Sequence, residues 1–200
     1  MRNIYIGVIE MLTDSDIREV LLKKLHNDNS AKHYRIIEEL TICDGIARTD
    51  VVLANGILHG FEIKSDCDSL ERLPNQIACY DKTFDKSTIV IGKKFENKIL
   101  KYVPNHWGIE VAYVNRFGNI SLKKIRSSKV NKNVKATNLL DLLWNPEIKS
   151  FLKQHKVRGY SKKDKPGLKE LTIEFISFKL LRDYTRETLK TRTGWRDDLQ

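Results

Sequence analysis

Residues 48–64 read Arg48-Thr49-Asp50-Val51-Val52-Leu53-Ala54-Asn55-Gly56-Ile57-Leu58-His59-Gly60-Phe61-Glu62-Ile63-Lys64. Two apolar, β-branched runs, 50–53 and 57–63, are joined by Asn55-Gly56, a pair that tolerates the positive φ of a tight turn and so signals a β-hairpin. Strand side chains alternate between faces, which sets Glu62 and Lys64 on one face and Phe61 and Ile63 on the other. Two carboxylates and an amine on so apolar a ribbon are costly unless they meet opposite charge. The turn decides which face Asp50 shares. A two-residue turn pairs residues whose numbers sum to 111 and sets Asp50 opposite Phe61, away from Glu62. Bringing Asp50 to Glu62 requires a sum of 112, hence a three-residue loop or a bulge.

Outward from the hairpin the pattern alternates. Asp14 or Ser15 can cap a helix running to about His26, with Ile17, Val20, Leu21, Leu22 and Leu25 as its buried stripe. Residues 27–30 form a turn cluster, 34–42 a strand around Glu38-Glu39, and Asp44-Gly45 the next turn. Beyond the hairpin, 65–68 is a polar loop and Pro74 suits the first turn of a helix over about 75–85. Residues 88–92 form a continuously apolar strand, 95–103 a helix ended by Pro104, and 109–114 a further strand. The order predicts an α/β core with a mixed sheet flanked by helices. After a basic stretch over 121–136, apolar spacing becomes wholly helical: around Leu139–Trp144, through 148–152, over 168–176 and over 180–189. The expected organisation is therefore a core over 1–120, a basic linker over 121–136 and a basic helical extension over 137–200.

Charge follows the same division. Residues 1–120 hold 16 Lys+Arg against 17 Asp+Glu, whereas residues 121–200 hold 20 against 9. A near-neutral, acid-bearing half followed by a basic half suits a chemical core with a polyanion-binding extension; the plain alternative is a solvated, lysine-rich surface. Cys43, Cys67 and Cys79 are odd in number and lack C-x-x-C spacing, so they read as reduced thiols, not disulfides or a zinc site. The N-terminal residues lack a signal-peptide core and no apolar run reaches about 18 residues, which predicts a soluble, cytoplasmic protein away from membranes.

Cleaving a phosphodiester needs an activated water and neutralisation of charge on the phosphate. Close carboxylates offer hard oxygen ligands for Mg²⁺ or Mn²⁺, and a nearby lysine can orient the water or stabilise the transition state. Asp50, Glu62 and Lys64 form such a set, and the Ile63 carbonyl between the two functional side chains is a further ligand candidate. Glu39 can supply a third carboxylate, with Glu38 as its competitor.

Asp50 followed by Glu62-x-Lys64 on a hairpin between two helices resembles the PD-(D/E)XK nuclease superfamily. Gly45-x-x-Arg48-x-Asp50 and Gln76-Ile-Ala-Cys-Tyr80 are similar to the aspartate and Gln-x-x-x-Tyr motifs of its RecB-like branch, and the match covers about residues 10–114. Positions i and i+4 share a helical face, so Gln76 and Tyr80 can both point at one site. The resemblance implies a restriction-endonuclease-like core, catalytic roles for Asp50, Glu62, Lys64, Gln76 and Tyr80, and metal ligation by Glu39, Asp50, Glu62 and Ile63. Many RecB-like nucleases carry a histidine in the first motif; here that element offers Glu38 and Glu39, and His33 falls too early. Taken alone, Glu62 and Lys64 fit an exposed ion pair, Gln76 and Tyr80 fit a cap on the sheet, and Arg48 fits neutralisation of Asp50 or Glu39.

Lys123, Lys124, Arg126, Lys156, Arg158, Lys162, Lys163 and Lys165 are the candidate phosphate contacts, the last five on a Gly-containing loop between helices that loosely resembles SAP-like DNA-binding modules. The expected activity is Mg²⁺-dependent hydrolysis of DNA, with RNA as the other polyanion. The rival expectation is a non-catalytic factor on a nuclease fold that binds nucleic acid or a protein partner, such as a phage or mobile-element factor acting on host defence.

Overall fold

The hairpin supplies the second and third strands of a six-stranded mixed sheet. In the structure, a computed structural model that describes residues 11–194, the elements run α1 (Asp14–Asn29), β1 (Arg35–Glu38), β2 (Thr41–Ile42), β3 (Ala47–Arg48), β4 (Val51–Ala54), β5 (Leu58–Lys64) and α2 (Leu73–Thr83). They continue through β6 (Lys86–Gly92), β7 (Gly108–Val114), β8 (Ile120–Arg126), α3 (Ala136–Asp141), α4 (Asn145–Gln154), α5 (Lys165–Phe175) and α6 (Phe178–Thr191). The sheet order is β1-β4-β5-β6-β7-β8, and β2 with β3 forms a separate two-stranded ribbon. β6 runs parallel to both β5 and β7, and the remaining neighbours are antiparallel. The expected α/β class with a mixed sheet flanked by helices is therefore what the chain adopts.

Strand alternation divides the core in two. Val51, Leu53, Phe61 and Ile63 pack with Ile17, Leu21 and Leu25 of α1 on one face. Val52, Ala54 and Leu58 face the other way, toward α2 and the C-terminal helices. Helix α1 is capped by Thr13, one residue before the expected Asp14, because Thr13 and Asp16 close a reciprocal capping box. Pro74 lies in the first turn of α2, as expected.

Three expectations need correction. The strand over 34–42 is broken at Glu39, whose φ of +54° turns the chain from β1 into β2. Residues 95–103 fold as short 3₁₀ turns, Lys93–Phe95 and Ile99–Lys101; Phe95, Ile99 and Val103 are buried, a spacing that mimics an α-helix. The first part of the expected linker over 121–136 lies in β8, the edge strand beside β7. Ile120 and Leu122 pack toward α1 while Lys123 and Lys124 face solvent, and lysines on an edge strand discourage further pairing.

The C-terminal helices are not an appendage. Leu139, Leu140, Leu143, Phe151, Leu152, Leu168, Leu181 and Leu189 belong to the same cluster as Ile37, Ile89 and Trp107 of the sheet side. Arg186 of α6 fastens them to the sheet through a two-pronged pair with Asp85, 2.6 Å and 2.9 Å, and Asp85 also accepts the Leu58 N–H at 2.8 Å. The three cysteines are free thiols, and no helix among the described residues is long and apolar enough to cross a membrane.

Removing one partner of a buried ion pair leaves the other charge uncompensated. Arg186→Ala should therefore cost about 3 kcal/mol in denaturant unfolding, and a loss below about 0.5 kcal/mol would mean that Asp85 is solvated once Arg186 is gone. His59, half-buried, shares a hydrogen bond with Thr88 (2.8 Å) and stacks on Phe61. Burial, reinforced by the charges of Lys86 and Lys24, pushes its pKa down to about 3. Below the ordinary histidine pKa the unfolded chain takes up a proton that the folded chain refuses, so this residue's contribution to stability falls as pH drops from about 6.5 toward about 3. A His59→Gln variant should lose less stability than the wild type between neutral and mildly acidic pH. Equal losses in both proteins would contradict the assignment.

Candidate active site

The turn of the hairpin has the irregular form the site requires. Asn55, Gly56 and Ile57 make a three-residue loop in which the Asn55 N–H reaches the Ile57 carbonyl at 3.3 Å and Gly56 takes φ +105°. A side chain rarely adopts that φ, so glycine is the residue the turn calls for. The ladder runs from Ala54↔Leu58 to Val51↔Phe61, so paired numbers sum to 112 and Asp50 falls opposite Glu62. Asp50 Oδ2 accepts the Ile63 N–H at 2.6 Å across that step.

Glu62 is fully buried and its carboxylate is held on both oxygens. Oε1 accepts from Lys64 Nζ at 2.7 Å and from Gln76 Nε2 at 2.5 Å, and Oε2 accepts the Tyr80 hydroxyl proton at 2.7 Å. Gln76 and Tyr80 reach Glu62 from successive turns of α2, as their i, i+4 spacing predicts. Burial, then the charge of Glu62, pushes the Tyr80 phenol well above its ordinary pKa, so it remains a neutral donor. Asp50 is pushed up to about 7, first by burial and then by Glu62; the Ile63 N–H and the Arg18 charge act against that rise.

The upstream acids are arranged around a residue that the sequence did not single out. Arg18 of α1 donates to Asp14 Oδ1 (2.9 Å), Glu38 Oε2 (3.3 Å) and the Asp50 carbonyl (3.0 Å), and pairs with Glu39 Oε1 (3.0 Å) and Asp50 Oδ1 (3.5 Å). Glu39 also holds Arg48 at 2.8 Å, the structural role that was the plainer reading of Arg48. Of the two rival glutamates, Glu39 lines the cleft and Glu38 does not. Asp14, read in sequence only as a cap, lines it too, and its charge adds to the rise in Asp50. The only sequence signal for Asp14 and Arg18 was their i, i+4 opposite charge.

Glu39, Asp50, Glu62, Ile63, Lys64 and Gln76 all border one cavity of ≈ 850 Å³, whose far wall carries Asn138 and Asp141 of α3 and Lys169 of α5. Lys169 is tied to Asp141 by an ion pair. Glu39, Asp50 and Glu62 share the cavity without converging on one point: among the described residues, no group of three or more His, Cys, Asp or Glu is arranged to hold a metal ion.

The candidate phosphate contacts separate into two kinds. Arg126 donates to the Trp107 (2.7 Å) and Pro104 (2.6 Å) carbonyls, and Lys165 to the Asp141 carbonyl (3.0 Å), so both serve the fold. Lys123 pairs with Glu96 at 3.4 Å, while Lys124 stays exposed on β8. Lys156, Arg158, Lys162 and Lys163 are exposed on the loop between α4 and α5, and none of them borders the cavity.

Comparison with known proteins assigns the chain to a family. The family described as Bacteriophage P4 protein cII matches residues 8–199. Protein cII of Enterobacteria phage P4 is 28% identical over 183 residues, covering 92% of this chain and 69% of the phage P4 protein. No solved structure matches. With all but a few terminal residues matched, the chain belongs to the bacteriophage P4 cII family.

Proposed function

We propose that the chain is a metal-dependent nuclease on a PD-(D/E)XK-type core, hydrolysing phosphodiester bonds of DNA. The observation that carries this reading is the hairpin register, which sets Asp50 opposite Glu62 with Lys64 bonded to the same carboxylate. The donors are hard oxygens, the kind a divalent cation such as Mg²⁺ takes. Glu62 is buried and Asp50 partly so; burial, and then the charge of Glu62, raises Asp50 to about 7, and a cation between the two carboxylates would favour the charged form of both. Asp50, Glu62 and the Ile63 carbonyl, with Glu39 or Asp14 from the cleft wall, would hold Mg²⁺ or Mn²⁺. When bound, the ion supplies a water of lowered pKa and positive charge beside the phosphate.

The protein's own groups then have separate tasks. Lys64, 2.7 Å from Glu62, is the amine available to orient the attacking water and to balance charge on the phosphate. Gln76 fixes the Glu62 carboxylate from α2 through Oε1, and Tyr80 fixes Oε2 without giving up its proton. Arg18 holds Asp14 and Glu39 together at the end of β4 and keeps the acid wall from splaying.

A second reading rests on the same contacts. Glu62 already has three donors, and Arg18 already bridges Asp14, Glu38, Glu39 and Asp50, so each of these acids has a partner within the fold. A phage factor that binds nucleic acid or a protein and leaves it uncut would use such a site as a structural core.

Hydrolysis of a panel of DNA and RNA forms separates the readings. Asp50→Ala and Lys64→Ala should each lower the rate by at least about 10²-fold while nucleic-acid binding persists. If the wild type with Mg²⁺ or Mn²⁺ leaves every form intact, the hydrolytic reading is wrong. Calorimetric titration with Mn²⁺ should find a site in the wild type that is lost in Glu62→Ala. A wild type that takes up no metal favours the binding factor.

A further inference from the structure

Helix α2 does more than hold Glu62. Its cleft-facing stripe carries Arg72, Asn75, Gln76, Cys79 and Lys82, at intervals that keep them on one side of the helix. Arg72 and Lys82 stand at its two ends, ten residues and so about 15 Å apart along the axis. Both side chains are exposed, both border the cavity, and among the described residues neither has a carboxylate partner. The other cations of that cavity are engaged: Lys64 by Glu62, Arg48 by Glu39 and Lys169 by Asp141. Among the described residues, an acid-rich cleft thus keeps two unbalanced cations, Arg72 at the N-cap of α2 and Lys82 in its last turn, one on either side of the glutamine that contacts Glu62.

We propose that this stripe is a phosphate rail, in which Arg72 and Lys82 grip the backbone of a nucleic acid on either side of the phosphate presented to Asp50 and Glu62. At an axial rise of about 3.4 Å per strand phosphate, 15 Å spans about four nucleotide steps, roughly two on each side of Gln76. Ala78 and Cys79 keep the helix surface low between the two cations, so a sugar–phosphate chain can approach closely. None of the described residues bordering the cavity is aromatic, so the grip falls on the backbone and is indifferent to base sequence. The site lies apart from the loop between α4 and α5, where basic composition alone had directed attention. The inference rests on the nucleic-acid part of the reading above and does not require hydrolysis.

The test is therefore equilibrium binding in EDTA, with a short fluorescein-labelled DNA duplex followed by anisotropy from about 50 to about 200 mM salt. Arg72→Ala/Lys82→Ala should weaken binding roughly tenfold and flatten the log–log salt slope by about 1.5–2, the share of two phosphate contacts. Lys98→Ala/Lys101→Ala removes two exposed cations that do not border the cleft, and should leave the slope near that of the wild type. A second duplex of unrelated sequence should give the same values. The rail is overturned if the wild type does not bind, if the α2 variant keeps the wild-type slope, or if the control pair loses as much. A wild type that binds through Arg72 and Lys82 yet cuts nothing when Mg²⁺ is added overturns the nuclease reading and leaves the rail standing.

Discussion

One register step in a hairpin decides which side chains line the cleft of this protein. Because strand side chains alternate with a period of two, a slip of one residue would turn Glu62 and Lys64 into the α1 layer and Phe61 and Ile63 out toward the cleft. Phe61 and Ile63 are buried against α1, and exposing such side chains costs about 1.5–3 kcal/mol each. The apolar face thus sets the register and the polar face inherits it. The Asn55-Gly56-Ile57 loop makes this register sterically possible by giving the positive φ to glycine.

Within that register the acids are placed where electrostatics alone would not put them. Glu62 stays at the bottom of the cleft because an amine, an amide and a phenol converge on it from β5 and α2. Asp50 has weaker compensation, one backbone N–H and a guanidinium at 3.5 Å, and it is the group pushed up to about 7. The two layers of the fold therefore meet at one strand end. The α1 layer supplies Arg18 and Asp14, and the α2 layer supplies Gln76 and Tyr80. A site of this kind is not a property of the hairpin alone.

That difference explains what the sequence made legible. The hairpin, the demand for an irregular turn, and the shared face of Gln76 and Tyr80 follow from local rules, namely turn chemistry and the periods of strand and helix. Arg18 acts through contacts 20 to 32 residues distant in sequence, to Glu38 and Asp50, and holds Asp14 beside them, and no local period points there. β8 escaped because an edge strand with outward lysines has the composition of a loop. The C-terminal helices were recognisable as helices, but amphipathic spacing does not say which surface the apolar stripe covers; Arg186 meeting Asp85 is what ties them to the sheet. Arg126 and Lys165 looked like phosphate contacts because a cation's sequence neighbours do not reveal that its partner is a carbonyl.

The excess charge of the C-terminal half then takes a different meaning. Several of its cations are internal fasteners: Arg186 on Asp85, Arg192 on Glu147, and Lys169 on Asp141. The exposed remainder, including Lys156, Arg158, Lys162 and Lys163, lies away from the cavity. At a Debye length of about 10 Å such charges act on an approaching polyanion at short range but do not position a phosphate at Asp50. A cleft lined by acids repels a polyanion unless cations at its rim compensate. In the proposed nuclease the two tasks are divided: the C-terminal surface raises the local concentration of nucleic acid, and the free cations of α2 bring its backbone past the carboxylates. The division follows from where the unbalanced charges lie, and net charge alone would not have located it.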